Sequence, residues 1–327
     1  MLKYVTRRFL YMVATLVIIS IVSFVVIQLP PGDFLTSYLA KLAEAGDTVS
    51  LAERDALRAR YGLDRPMHIR YLHWISGVLR GDFGWSLEWM QSVSDLIWSR
   101  LGLTVLMSVC AMLFTWIIAF PIGILSAVKQ YSFWDYTATF FGFIGLAIPN
   151  FLLALVLMWI SFEYFGANVG GLFSPEYADA PWSLEKVLDL AKHLWIPMIV
   201  IGTAGTASLI RVMRANLLDE LRKPYVVTAR AKGVSETRLL LKYPVRLALN
   251  PFISTIGWML PAVISGETIT SVVLNLPTSG ALFLGALRSQ DMYLAGSFIL
   301  LSSSLTVIGT FLSDLALAWV DPRIRFN

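Results

Sequence analysis

Residues 9–29 read FLYMVATLVIISIVSFVVIQL, an apolar run without a single charge. A helix needs about 20 such residues, at 1.5 Å each, to cross a hydrocarbon layer roughly 30 Å thick. Lys3, Arg7 and Arg8 stand just before it and give it the outline of a secretory signal. The run exceeds the roughly 7–15 apolar residues of a signal core. It also ends in Gln28-Leu29-Pro30-Pro31-Gly32-Asp33, with no small-residue cleavage pattern. The stretch therefore reads as an uncleaved first membrane helix.

Further apolar runs follow at Leu101 to Val128, Tyr136 to Phe165, Leu194 to Met213, Phe252 to Leu274 and Leu294 to Val320. Six spans in an all-α polytopic membrane protein are the expectation. Composition agrees, with 57% hydrophobic and 15% charged residues where a soluble domain carries roughly 25% charged. The net charge of +4 does not argue for nucleic acid, because most of the basic excess lies between spans. Arg211 to Asn250 holds nine Lys or Arg against Asp219, Glu220 and Glu236, whereas Glu163 to His193 holds five acids against two lysines. By the positive-inside rule, the basic loop and both termini face the cytoplasm, and Asp55 and Glu185 face outside. Cys110 is the one cysteine, so no disulfide forms within the chain.

The third run is about thirty residues, roughly 45 Å as a helix, and must tilt, bend or protrude. Pro149 is its candidate bend, with Pro121 and Pro261 as counterparts in the second and fifth runs, because proline deletes a backbone donor and crowds the preceding turn. Pro30 to Arg100 is too polar to span. In it Ser50-Leu51-Ala52-Glu53 has the form of a capping box opening a helix to Tyr61. A second helix runs from Met67 through Ile69, Leu72, Ile75 and Leu79 to a stop at Gly81, and is expected on the outer membrane surface. Glu176 to Asp189 reads as a shorter outer loop. Gly142, Gly145, Gly202 and Gly205 read as close helix contacts.

None of the eight lysines precedes Ser or Thr, so the chain carries no phosphate-binding loop. If ATP drives it, another subunit hydrolyses it. Acids deep within spans are few: Glu267 lies in the fifth and Asp314 in the sixth, near its cytoplasmic end. Each is a candidate for facing the pore or tethering a helix, and they are too few for the ion relay of a gradient-driven carrier. His68, His73 and His193 lack ligand spacing, so no metal site is read. No nucleophile and base face one another within the spans, and the chain is read as non-catalytic. The eleven tryptophans read as interface markers.

In the basic loop, Asp219 to Lys232 is helix-compatible apart from Pro224. Gly233 can end that helix in a left-handed conformation, and Ser235 can cap another starting at Glu236. Composition leaves open whether this elbow docks a protein or rests near anionic headgroups.

Thr228-Ala229-Arg230-Ala231-Lys232-Gly233, followed by Asn250-Pro251, resembles the cytoplasmic coupling motif of ABC importer permeases, in the form seen in the oligopeptide, dipeptide and nickel branch. Tyr61-Gly62-Leu63-Asp64-Arg65-Pro66, Gly81-Asp82-Phe83-Gly84, Ile148-Pro149 and Asp321-Pro322-Arg323-Ile324-Arg325 agree in order along nearly the whole chain. The resemblance implies a type I importer permease in the bacterial inner membrane. It implies a second homologous permease forming a heterodimeric pore, two cytoplasmic ABC ATPases that bind ATP and Mg, an extracytoplasmic solute-binding protein, and no cofactor in this chain. Coupling is then carried by residues 228–233, and transport is rigid-body alternating access. Val227 stands where the wider motif has Glu, and Leu276-Pro277-Thr278-Ser279-Gly280 replaces the branch's usual Pro-Gly-Leu-Gly.

The chain then divides into an N-terminal transmembrane helix (1–29), a periplasmic loop with amphipathic helices (30–100), a five-helix core (101–320) containing the coupling loop 214–250, and a cytoplasmic tail (321–327). Peptides are the expected cargo, oligosaccharides the alternative. Nickel fits least, as no His, Cys or carboxylate cluster lines a span. An ion-gradient carrier is the rival from another class.

Overall fold

A computed structural model of the chain describes residues 2–29, 34–44, 50, 55–56, 58–59, 64–86, 88–166, 170–250, 252 and 268–320. Its elements are α1 (Leu2–Gln28), α2 (Phe34–Glu44), α3 (Met67–Val78), β1 (Trp85–Ser86), β2 (Gln91–Ser92), α4 (Val93–Val128), α5 (Phe133–Ala147), α6 (Asn150–Phe165), α7 (Leu184–Leu221), α8 (Pro224–Ala231), α9 (Glu236–Lys242), α10 (Pro244–Ala248), α11 (Thr268–Val273), α12 (Ser279–Arg288) and α13 (Met292–Val320). The strands form one short antiparallel hairpin with Trp85 opposite Ser92. Among the described residues everything else is helix or connection, as expected of an all-α membrane protein.

Three helices are each long and apolar enough to cross a membrane, namely α1, α4 and α13, and two bent pairs raise the number to as many as five among the described residues. Most of the expected fifth span, 252–274, lies outside the described residues, and so do Pro261 and Glu267. The opening of the helix expected over 50–61 and the tail 321–327 lie there too. Phe140, Phe141, Trp159 and Phe162 on α5 and α6 are more than half exposed. Side chains of that size are uncovered only where lipid or another protein meets them.

The second and fourth spans extend well beyond the apolar runs. Helix α4 has 36 residues and begins at Val93, inside the stretch assigned to the outer loop. Helix α7 has 38 residues and begins at Leu184, where Ser183 accepts from the Lys186 N–H. The loop expected over 176–189 therefore ends at residue 183. Both extensions are polar turns continuing a helix already paid for in nucleation, and each buries its early residues: Val93 and Ile97 against Leu282, Leu294 and Phe298, and Leu190 against Leu172.

The third run is not one bent helix. Helices α5 and α6 meet at 100° across Ile148 and Pro149. Ile148 is extended at ψ 121°, as the residue before a proline prefers, and Pro149 caps α6 at φ −59°. Pro121, by contrast, lies inside α4 without ending it. The other bend, 47° in α7 between Thr203 and Gly205, owes nothing to an adjacent proline. There Thr203 Oγ1 donates to the Ile199 carbonyl and Thr206 Oγ1 to that of Gly202, which also accepts from Thr115 Oγ1 of α4. Hydroxyls that compete for carbonyls in this way bend helices.

Helices α4 and α7 form the spine of the fold. A Cβ on Gly202 would lie 2.5 Å from Phe114 Cδ1, and one on Gly145 would lie 2.9 Å from Thr203 Cγ2. These glycines set how closely the helices approach. Helix α1 packs along α13, where Arg8 pairs with Asp314 at 2.9 Å. Helix α3 lies over them through Trp74, which packs with Phe24 and Leu300, and Tyr71 hydrogen-bonds Ser20 at 2.8 Å.

Candidate functional site

At the end of the spine where α7 finishes, the chain turns into a two-helix elbow. Pro224 opens α8 at the first helical position, where its missing N–H costs nothing. Gly233 adopts φ +74°, its N–H bonding the Arg230 carbonyl and the next N–H, of Val234, the Ala229 carbonyl. This pair of bonds is the Schellman closure that glycine favours. Ser235 then precedes α9, and its side chain makes no cap bond. Arg230 donates from Nε to Glu236 Oε1 at 2.5 Å and from a terminal nitrogen to Oε2 at 3.0 Å, clasping one helix to the other. That guanidinium holds the Glu236 carboxyl below its usual range.

The elbow is anchored from within. Val226 and Leu239 are buried. Behind them Val245, Ala248 and Phe252 pack on Ala119, Met213 and Leu217 of the spine. Tyr225 donates to Glu220 at 2.6 Å, and burial, then that neighbouring carboxylate, raises its hydroxyl's pKa. Thr228, Arg230, Ala231, Lys232 and Gly233 remain exposed and Ala229 is half-buried. Val227 is 58% exposed, so no acid stands at the position where the wider motif carries one.

Beside the elbow's root lies an ion pair that the sequence did not disclose. Asp135 is buried and accepts two bonds from Arg214 of α7, both at 2.8 Å, another from the Tyr131 N–H, and a fourth from Ser126 of α4. It joins α4, α5 and α7 at one point. Its only sequence trace is Ser132-Phe133-Trp134-Asp135, in which Ser132 accepts from the Asp135 N–H as a helix cap.

At the other end of the spine a cleft of about 770 Å³ opens between the first turns of α4, the start of α7 and the connections 170–178 and 275–278. Its walls are strapped together. The Gly171 N–H donates to the Leu274 carbonyl at 2.7 Å. Thr104 of α4 accepts from the Ser279 N–H at 3.0 Å, fixing the start of α12. Asn275 holds φ +51° where α11 ends in a second Schellman closure, Leu276 bonding Ser271 and Asn275 bonding Val272. Lys186 donates to the Ala178 and Ala180 carbonyls and lies 4.8 Å from the Phe173 ring centre, which shapes the lip.

Residues 119–326 match the family described as binding-protein-dependent transport system inner membrane component, and residues 1–108 match the corresponding N-terminal family. The chain belongs to this permease family. It is similar to the oligopeptide transport system permease protein AppB of Bacillus subtilis, 36% identical over all of both chains. It is also similar to the dipeptide transport system permease protein DppB of Escherichia coli K12, 30% identical over 99% of both. A third relative is the oligopeptide transport system permease protein OppB of Haemophilus influenzae, 30% identical over 100% of both.

The permease thus gathers residues 228–233 into one exposed elbow and sets Asp314 against Arg8 between α1 and α13. Pro149 lies between helices and Pro121 within one. The two features that sequence reasoning missed, the Asp135–Arg214 pair and the cleft, are both made by side chains from distant helices.

Proposed function

We propose that this permease is one half of a two-permease pore that imports peptides, driven by two cytoplasmic ATPases that bind ATP and Mg and fed by an external binding protein, with residues 228–233 as its ATPase contact. The elbow carries this reading: a small-residue turn, clasped by Arg230 and Glu236, exposed at one end of the helix bundle and rooted in the spine by Phe252 and Val245. A push on such a body reaches α4 and α7 without being absorbed in the loop. The relatives' names support peptides over oligosaccharides. In this reading both termini and the elbow face the cytoplasm, and the cleft faces outside.

Gly233→Asp tests it. Among the described residues no atom lies within 4 Å of a Cβ placed there, so the substitution meets no close packing. Aspartate tolerates the left-handed region better than most residues, at a cost of about 1 kcal/mol. The variant should insert and pair with its sister permease, yet lose co-purifying ATPase and ATP-dependent peptide uptake in proteoliposomes. Wild-type recovery of both would place coupling elsewhere.

A further inference from the structure

The cleft at the far end of the spine holds an arginine with no partner among the described residues. Arg100 lines it and is partly buried, and among the described residues no carboxylate, carbonyl or ring engages its guanidinium. Among the described residues lining the cleft none is acidic, and His193 is the other titratable one. The nearby acid Asp189 is already occupied, accepting from the Ser174 N–H at 2.7 Å and the Ser174 hydroxyl at 2.6 Å. The rest of the wall is apolar and aromatic, including Trp89, Phe173 and Leu282.

We infer that this cleft receives the C-terminal carboxylate of the incoming peptide, with Arg100 as its counter-ion. A guanidinium presents two parallel N–H groups that match a carboxylate and hold it in one orientation. Every linear peptide carries that anion whatever its side chains. An arginine in an otherwise uncharged wall therefore grips cargo of any sequence while Trp89 and Phe173 cover its last side chain. The volume falls within the roughly 300–1,000 Å³ of small-molecule sites. This inference rests on the peptide-import reading above.

The test uses the complete transporter, with sister permease, ATPases and binding protein, in proteoliposomes. Uptake is measured for one peptide as its free acid and as its C-terminal amide, each delivered on saturated binding protein. Wild type should favour the free acid. Arg100→Gln should reduce free-acid uptake at least about tenfold while leaving amide uptake unchanged, and Arg100→Lys should restore part of the preference. Equal loss for acid and amide in Arg100→Gln, with weakened docking of the binding protein, would assign Arg100 to an acidic patch on that partner and overturn the carboxylate site. Unchanged uptake of both would overturn it too. If wild type moves neither form with ATP present, peptide import itself fails, and the carboxylate site falls with it.

Discussion

Arg230 and Asp135 both belong to bidentate pairs at the same end of the molecule, yet their surroundings give the pairs different weights. Arg230 and Glu236 are each more than half exposed, so the clasp orients two helices and adds little stability. Glu236 has its folded pKa depressed by Arg230. The clasp is therefore present above the unfolded carboxylate value of about 4.3 and is lost only as pH falls through the lower folded value. Acidification within the physiological range leaves it closed. Glu236→Gln should break it at neutral pH, seen as faster amide exchange across 230–236 with unchanged overall unfolding. The Asp135 side chain is 4% exposed and that of Arg214 28%. Asp135→Asn leaves an arginine half-stranded among α4, α5 and α7, at a cost of roughly 2–4 kcal/mol. The expected result is a lower unfolding midpoint in detergent with the elbow's own exchange rates unaltered; an unchanged midpoint would show that water pairs Arg214 equally well.

Between elements, the α4–α7 contact is decided by glycine. Gly202 faces Phe114 and Thr115 of α4 at distances that leave no room for a methyl group, whereas Gly102, on α4 itself, has nothing within 4 Å of its Cβ position. Gly202→Ala must push the helices apart or force Phe114 from its rotamer, a cost of about 1–3 kcal/mol. Gly102→Ala improves helix propensity and should be neutral or slightly stabilising. Thermal unfolding of the two variants side by side separates close approach from propensity. Equal behaviour would show that the spine tolerates wider spacing. The bend above Gly202 arises from the same contact, since the Gly202 carbonyl is shared by hydroxyls from both helices.

For the whole molecule, the excess of basic residues over 211–250 and of acids over 163–193 predicts orientation. In a Cys110→Ser background, cysteines at positions 55 and 185 should react with an impermeant reagent added outside intact cells, and one at 233 only after the membrane is opened. Reaction at 233 in intact cells would invert the molecule and exchange the faces assigned to elbow and cleft. From His193 near the cleft to Leu221 at the elbow, α7 covers about 40 Å at 1.5 Å per residue. One bent helix therefore joins the end where cargo is proposed to enter to the end where ATPases are proposed to bind. Alternating access requires a connection of that kind.

Much of this architecture is local in origin and could be read directly. Uncharged runs such as 9–29 must be helical in lipid, because no water is there to satisfy a free backbone group. Pro224 and Gly233 favour an elbow through their φ preferences, as the φ of +74° at Gly233 shows, whereas Ser235, read as a cap, makes no cap bond. The motif at 228–233 is also local, and the partner ATPases that its resemblance implies belong to the proposed function. Where helices begin was less legible. Val93 and Leu184 start their helices inside polar sequence because tertiary burial, unseen in hydropathy, rewards the extra turns. Pro149 signalled a bend but not its 100°, which depends on what α5 and α6 each pack against. The Asp135–Arg214 pair, separated by 79 residues, and the cleft uniting Arg100 with Thr278 exist only once distant segments meet. Side-chain pairing across such separations follows from packing geometry, and no local periodicity or spacing encodes it.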